Sequence, residues 1–277
     1  MSDPDPRDRL AELVATCGDT LPPDLGCALI AADEQGLSAD HADATLAALD
    51  ALGERLHLPA RCSPYEAIAR LNHFLFTDQG FTGDIETFDD PQNSYLDCVL
   101  TRRRGLPILL SVLYISLARR KGFAIDGVGF PGHFLVSPAG VEPRFFVDPF
   151  HSGQVLPEEG MRRELVSTVG DLASPRQIDG FLKPTPPRLI LVRVMKNLQL
   201  SHVRRSAYGR ALQAIDRLLI LGPEFHDERR RRGLLLDWLE RTDEAIAAYE
   251  DYLTHVPDAP DADRVRASIH RLRTELT

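Results

Sequence analysis

Between Gly105 and Asp148 the chain sets out, in order, most of the parts that thiol-based acyl chemistry needs. Gly105-Leu106-Pro107 opens an apolar helix, His133 lies on a following strand, and Asp148 on the strand after it. A helix N-terminus stabilises an anion, so a cysteine placed there is activated as thiolate. A neighbouring histidine takes its proton, and a carboxylate orients the histidine. Here the helix start holds Pro107 and no cysteine. The base and its orienting group are present, and the usual nucleophile is missing.

The elements that must position these residues follow from local signals. Pro107 suits a first helical turn, where its missing N–H would lack an intrahelical partner anyway. Leu106, Leu109, Leu110, Leu113 and Leu117 make this a buried central helix ending at Gly122. Two strands are predicted, around residues 127–137 and 144–148, joined by Pro138-Ala139-Gly140-Val141-Glu142-Pro143. If that loop is symmetric, His133 and Asp148 stand directly opposite, with Cβ atoms ~4.5–5.5 Å apart. A one-residue slip would put them on opposite faces of the sheet.

Upstream, residues 7–55 read as two or three Ala/Leu-rich helices separated by Leu21-Pro22-Pro23 and by Gln35-Gly36. Ser63-Pro64 begins another helix that carries Ile68, Leu71, Phe74 and Leu75 at helical spacing. Residues 80–84 form a loop. The next helix starts near Ser94, where Ser94 and Asp97 have capping-box spacing, and ends at Arg104-Gly105. Arg102-Arg103-Arg104 before Gly105, and Arg119-Arg120-Lys121 before Gly122, read as helix-stop chemistry. Arg229 to Arg232 reads as a solvated helix face.

Bulk properties exclude several classes. With 277 residues, 43% hydrophobic and 26% charged, the chain is globular in composition and can build an ample core. No apolar run reaches the ~20 residues that span a bilayer. Met1-Ser2-Asp3-Pro4-Asp5-Pro6 lacks the basic and apolar parts of a secretion signal, so a cytoplasmic location and no membrane partner are expected. A net charge of −9 argues against a nucleic-acid partner. Cys17, Cys27, Cys62 and Cys98 form no Cys-x-x-Cys pair, and the nine histidines include no His-Glu-x-x-His. Free thiols, no metal site and no cofactor are expected.

From about Arg188 the chain is helical and repeats itself. Ala211, Ala214, Leu219 and Pro223 recur as Ala245, Ala248, Leu253 and Pro257, each 34 residues later. That is the period of the tetratricopeptide helix–turn–helix unit. Small residues let paired helices approach, and the prolines stop the second helix of each unit. A last helix over residues 262–276 is expected to cap the pair.

The run Asn93-Ser94-Tyr95-Leu96, Arg103-Arg104-Gly105-Leu106-Pro107-Ile108, Gly127 through Val136 and Val147-Asp148-Pro149-Phe150 closely resembles the SirB family of bacterial transglutaminase-like proteins. The resemblance covers about residues 60–277. It implies an α+β, papain-like core in which a central helix packs on a small antiparallel sheet, with N-terminal helices before it and an all-α tetratricopeptide-like domain after it. It makes His133 the base, Asp148 its partner and Gly105 the glycine of the superfamily's Gly-x-Cys, so the nucleophile position falls on Pro107. The implied organisation is an N-terminal helical region (1–60), the core (61–160), a linker (161–187) and the repeat domain (188–277).

Two residues can stand in as nucleophile. Ser111 lies one turn beyond Pro107 on the same helix face, although a small residue there also permits close helix packing. Cys98 has the right chemistry on the preceding helix, although it also fits as a small buried apolar side chain. His151 can share the pocket rim with Asp148, and Asn93 and Tyr95 belong to the family motif. On the concave face of the repeats, Asn197, His202 and Arg205 are candidates for holding a peptide. The reading reached is a non-catalytic protein-binding or regulatory scaffold whose partner is another protein or a peptide. The competing class is an acyl-transfer or amide-hydrolysing enzyme that uses His133 and Asp148 with Ser111 or Cys98.

Overall fold

Proline and glycine set most element boundaries in the computed structural model, which describes residues 5–59, 61–170 and 174–275. The chain's first four residues, and Leu276 at the expected end of the last helix, lie outside them. Three N-terminal helices, α1 (Pro6–Cys17), α2 (Pro23–Gln35) and α3 (Ala39–Arg55), carry the expected Ala/Leu-rich segment. Pro23 opens α2, and Gly36 closes it at φ 69°, a left-handed conformation that costs glycine little. Helix α4 (Pro64–Asn72) begins as the sequence predicts, the Ser63 hydroxyl accepting from the Glu66 N–H.

Helix α5 (Leu96–Arg102) departs from expectation at both ends. The capping box at Ser94 does not form, because residues 91–94 coil into a 3-10 turn and Tyr95 becomes the N-cap. Asp97 instead accepts from His41 at 2.9 Å and from Gln35 at 3.0 Å. At the other end Arg103, not Gly105, takes the left-handed conformation, at φ 60°. That frees Arg104–Gly105 (β2) to pair in parallel with Thr82–Gly83 (β1). Helix α6 (Pro107–Arg120) then runs as predicted, with Pro107 in its first turn.

The segment expected as one strand over 127–137 is a hairpin. β3 (Ile125–Phe130) and β4 (His133–Pro138) pair antiparallel around Pro131-Gly132, with Phe130 opposite His133. Gly132 sits at φ 73°, and proline followed by a left-handed glycine is type II turn chemistry. β5 (Phe145–Asp148) and β6 (Gln154–Pro157) complete a sheet of order β3-β4-β5-β6. Val136 stands opposite Val147, so Asp148 falls opposite Leu135 rather than His133. The offset from the symmetric register is two residues, which keeps both side chains on one face.

Segment 161–187, expected as a linker, is mostly ordered into the core. Helices α7 (Glu158–Val169) and α8 (Pro175–Phe181) bury Met161, Leu165 and Ile178 against Val128, Phe130 and Phe146 of the sheet. Helix α9 (Pro187–Arg204) follows, and the chain divides into two compact units, Met1–Val194 and Met195–Thr277.

The second unit continues with α10 (Tyr208–Leu221), α11 (His226–Trp238), α12 (Thr242–His255) and α13 (Ala262–Glu275). Ala211, Ala214, Ala245 and Ala248 are buried at the helix contacts. Gly233 lies so close to Tyr249 that a Cβ there would meet the ring at 2.5 Å. Arg229 to Arg232 is not a bare solvated face: the four guanidiniums pair with Asp251, Asp261, Glu228 and Asp216 respectively. Among the described residues, no helix is long and apolar enough to cross a membrane.

Candidate functional site

Asp148 ends β5 and its carboxylate organises the turn that follows. Oδ1 accepts from the backbone N–H groups of Phe150 (3.0 Å) and His151 (3.3 Å), an Asx-type turn. Oδ2 takes two imidazoles at once: Nε2 of His133 at 2.6 Å and Nδ1 of His151 at 2.7 Å. The Asp148 side chain is 4% exposed, against 22% for His133 and 55% for His151. Burial alone would push its carboxyl up, but hydrogen bonds and charge from both histidines outweigh that and hold it below the usual carboxylate range.

An ionised carboxylate only accepts, so both nitrogens facing it carry hydrogen. In a neutral His133 the lone pair is therefore on Nδ1, the tautomer a general base requires. Among the described residues no thiol or hydroxyl bonds that ring. Its backbone is fixed from outside the sheet, since Nη2 of Arg193 on α9 donates to the carbonyls of His133 (2.6 Å) and Phe130 (2.8 Å). The Arg193 guanidinium thereby clamps the Pro131-Gly132 turn from both sides.

Phe150 joins the site to the helix-opening segment. Its ring stands edge-on to His133 at 6.1 Å and to Phe88 at 6.3 Å. It packs so closely on Gly83 that a Cβ there would lie 2.5 Å from the ring. Gly83 in turn pairs with Gly105, two residues before Pro107. Ile85 and Phe88 remain exposed, so the approach is apolar. Neither Phe150 nor Arg193 was singled out by sequence reasoning. Phe150 lay inside the Asp-Pro-Phe motif, whereas nothing local marks Arg193.

The stand-in nucleophiles are elsewhere. Ser111 is fully buried and its hydroxyl donates to the Phe134 carbonyl at 3.2 Å, a core contact between α6 and β4. Cys98 faces Gln35 and Asp97, and burial with the Asp97 charge pushes its thiol up to about 11. Asn93 and Tyr95 are interior too. Asn93 donates to the Thr87 carbonyl at 2.7 Å, and the Tyr95 hydroxyl donates to Glu34 at 3.2 Å. Their sequence motif reports packing beneath the loop, not a binding face.

In the second unit the three candidate residues fall apart from the apolar groove. His202 is 1% exposed, inside the unit. Asn197 is half-buried and Arg205 exposed, yet neither lines the groove that α9 and α11 enclose. That groove, about 380 Å³, is formed by Leu200, Val203, Leu234 and Trp238 with Lys196 and Arg231 on its rim. The α9 residues involved step along the helix one position out of phase with Asn197.

Known proteins with similar sequences cover both halves. Residues 43–196 match the model of the transglutaminase-like superfamily, and residues 198–270 match a tetratricopeptide-repeat model. A UPF0162 protein of Xylella fastidiosa is 36% identical over 209 residues, covering 75% of this chain and 74% of that protein. A UPF0162 protein of Vibrio cholerae is 31% identical over 212 residues, 75% of each chain. A shorter stretch, 71 residues at 37% identity, is similar to mouse F-box only protein 21, covering 26% of this chain and 11% of that one.

Proposed function

Because this chain belongs to the UPF0162 (SirB-like) family of transglutaminase-like proteins with tetratricopeptide repeats, we propose that it is a non-catalytic scaffold that binds a protein segment through its repeat unit. The observation that carries this is the apolar wall of the repeat groove. Trp238 is 48% exposed, Leu200 49% and Leu234 37%, more apolar surface than a repeat needs to leave in water. Lys196 and Arg231 flank it and are both paired with the buried Glu228, so the fitting partner is a peptide with a large apolar anchor. Tyr208 packs on the Trp238 ring at 5.2 Å and holds it in place for contact.

The non-catalytic part of the reading rests on Pro107, on the Ser111 hydroxyl being engaged in the core, and on a Cys98 thiol that ionises poorly. The acyl-transfer alternative has a well-oriented base at His133 and, among the described residues, no thiol or hydroxyl bonded to it. We place the scaffold in the reducing cytoplasm, as its four unpaired cysteines suit.

Trp238 is the chain's only tryptophan, so its fluorescence reports the groove directly. Capture from lysate with the full chain, beside Leu200→Glu and Trp238→Ala, should yield a partner that both variants lose. That partner's peptide should then shift the Trp238 emission to the blue. Identical captures by the three chains would sink the binding role. A covalent adduct on any residue after incubation with amine and glutamine substrates would sink the non-catalytic one.

A further inference from the structure

We propose that His133, Asp148 and His151 form a binding site for one divalent transition-metal cation of the zinc or cobalt class, a capacity that goes beyond scaffolding and does not depend on it. Among the described residues this is the one group of three such side chains whose ligand atoms all lie within 4.8 Å of one another. Sequence spacing hides it, because the donors sit 15 and 3 residues apart on a strand, a strand end and a turn.

Two imidazole nitrogens converge on one carboxylate oxygen, at 2.6 and 2.7 Å. Bonds of ~2.0–2.2 Å from a metal to nitrogen and oxygen place those atoms ~3.0 Å apart at right angles, or ~3.4 Å apart in a tetrahedron. Each imidazole nitrogen must withdraw from that oxygen by less than ~1 Å, and the two nitrogens, which lie within 4.8 Å of each other, must swing toward the same spacing. The His151 side chain can do so by rotating, since it is 55% exposed.

Proton balance sets how the ion enters. Each ring must coordinate through a lone pair, so the proton now on Nε2 of His133, and that on Nδ1 of His151, moves to the other ring nitrogen. When a ring is doubly protonated, one proton leaves to water instead. Asp148 needs no change: Oδ1 stays on the Phe150 and His151 N–H groups, which aim Oδ2 at the ion. Arg193 fixes the His133 backbone in the same way.

The donor set selects the cation. Two imidazoles and one carboxylate suit zinc, cobalt, nickel and ferrous iron, whereas magnesium and calcium favour all-oxygen shells. The exposed edges of His133 and His151 leave the remaining coordination positions open to solvent or to a ligand. The other close histidine pair, His226 and His255 with rings 5.3 Å apart, belongs to no such three-donor group among the described residues and serves as an internal control.

The test uses the full chain stripped with chelator and titrated at neutral pH with Zn2+ by calorimetry, and with Co2+ by its visible absorption. One equivalent should bind, with His151→Ala weakening it by ~10-fold or more and His133→Gln doing the same, and His226→Ala leaving it unchanged. Should His133→Gln fail to fold, His151→Ala at the exposed turn decides alone. No stoichiometric binding, binding unchanged in His151→Ala, or Mg2+ binding as tightly as Zn2+ would each overturn the proposal.

Discussion

Asp24 on α2 and Asp148 on β5 are built alike and differ in one chemical respect. Both carboxylates are nearly sealed from water, at 2% and 4% side-chain exposure, and each holds two partners on Oδ2. Asp24 takes Arg119 and Arg120 from the end of α6, each at 2.8 Å, and Asp148 takes His133 and His151. At each, burial pushes the carboxyl up and the two partners pull it further down. The arginines are charged at any pH and donate only, so the Asp24 cluster can be nothing but a clamp between α2 and α6. Imidazoles can lose, gain or relocate a proton and can offer a lone pair. The second cluster can therefore exchange a proton or an ion where the first cannot.

The comparison breaks first at Asp24. Asp24→Asn should destabilise the chain by about 3 kcal/mol in urea unfolding, since it leaves two guanidiniums facing a buried neutral amide, one of them mostly covered. Asp148→Asn should cost about 1–2 kcal/mol, because both imidazoles reach solvent and can bond water or the new amide instead. Equal costs would show that the two clusters contribute alike to stability despite their different partners.

The acid limb sharpens it. Both carboxyls have folded-state values below the ordinary one, so their contributions are fully present above the unfolded value of ~3.9 and vanish as pH falls through the lower folded value. Stability of the native chain should therefore drop below about pH 4, and Asp24→Asn and Asp148→Asn should each flatten that drop. The readout is urea midpoint against pH; an unflattened limb in Asp24→Asn would locate the acid sensitivity elsewhere.

Arg193 holds the turn that carries His133. Arg193→Met should cost about 1–2 kcal/mol through two orphaned carbonyls and should move the ring resonances of His133 while sparing those of His226. Unmoved His133 resonances would mean that the Pro131-Gly132 turn holds itself.

The smallest effect belongs to Cys98. With its thiol pushed up to about 11, iodoacetamide should label it slowly at neutral pH, at a rate unaltered by His133→Ala. Site-resolved mass spectrometry checks this, and fast, His133-dependent labelling would return the enzyme reading.

Where a residue's own sterics decide the outcome, the sequence was readable. Pro23, Pro64 and Pro107 begin helices because their ring pre-sets φ, and Gly36 ends one because it tolerates the left-handed region. Pro131-Gly132 carries the same kind of signal, and it turns the expected single strand over 127–137 into a hairpin. The Ser94 capping box failed for the opposite reason. Its local pattern was sound, but His41 and Gln35, distant in sequence, claimed the Asp97 carboxylate. Asn93 and Tyr95 looked like site residues because a motif marks a constraint without saying whether packing or binding imposes it.

The sequence by itself determined the helices, the 34-residue repeat with its alanine contacts, and the order of His133 and Asp148 behind a helix that begins with proline. Those are properties of neighbouring residues, fixed by φ limits, side-chain size and periodicity. Only the tertiary structure decided that a two-residue offset keeps His133 and Asp148 on one face, that His151 joins them on the same oxygen, that Arg193 holds their turn, and that Trp238 rather than His202 faces the groove. Strand register and helix phase depend on which distant surfaces meet, and a shift of one residue in either turns a side chain from the core to the solvent.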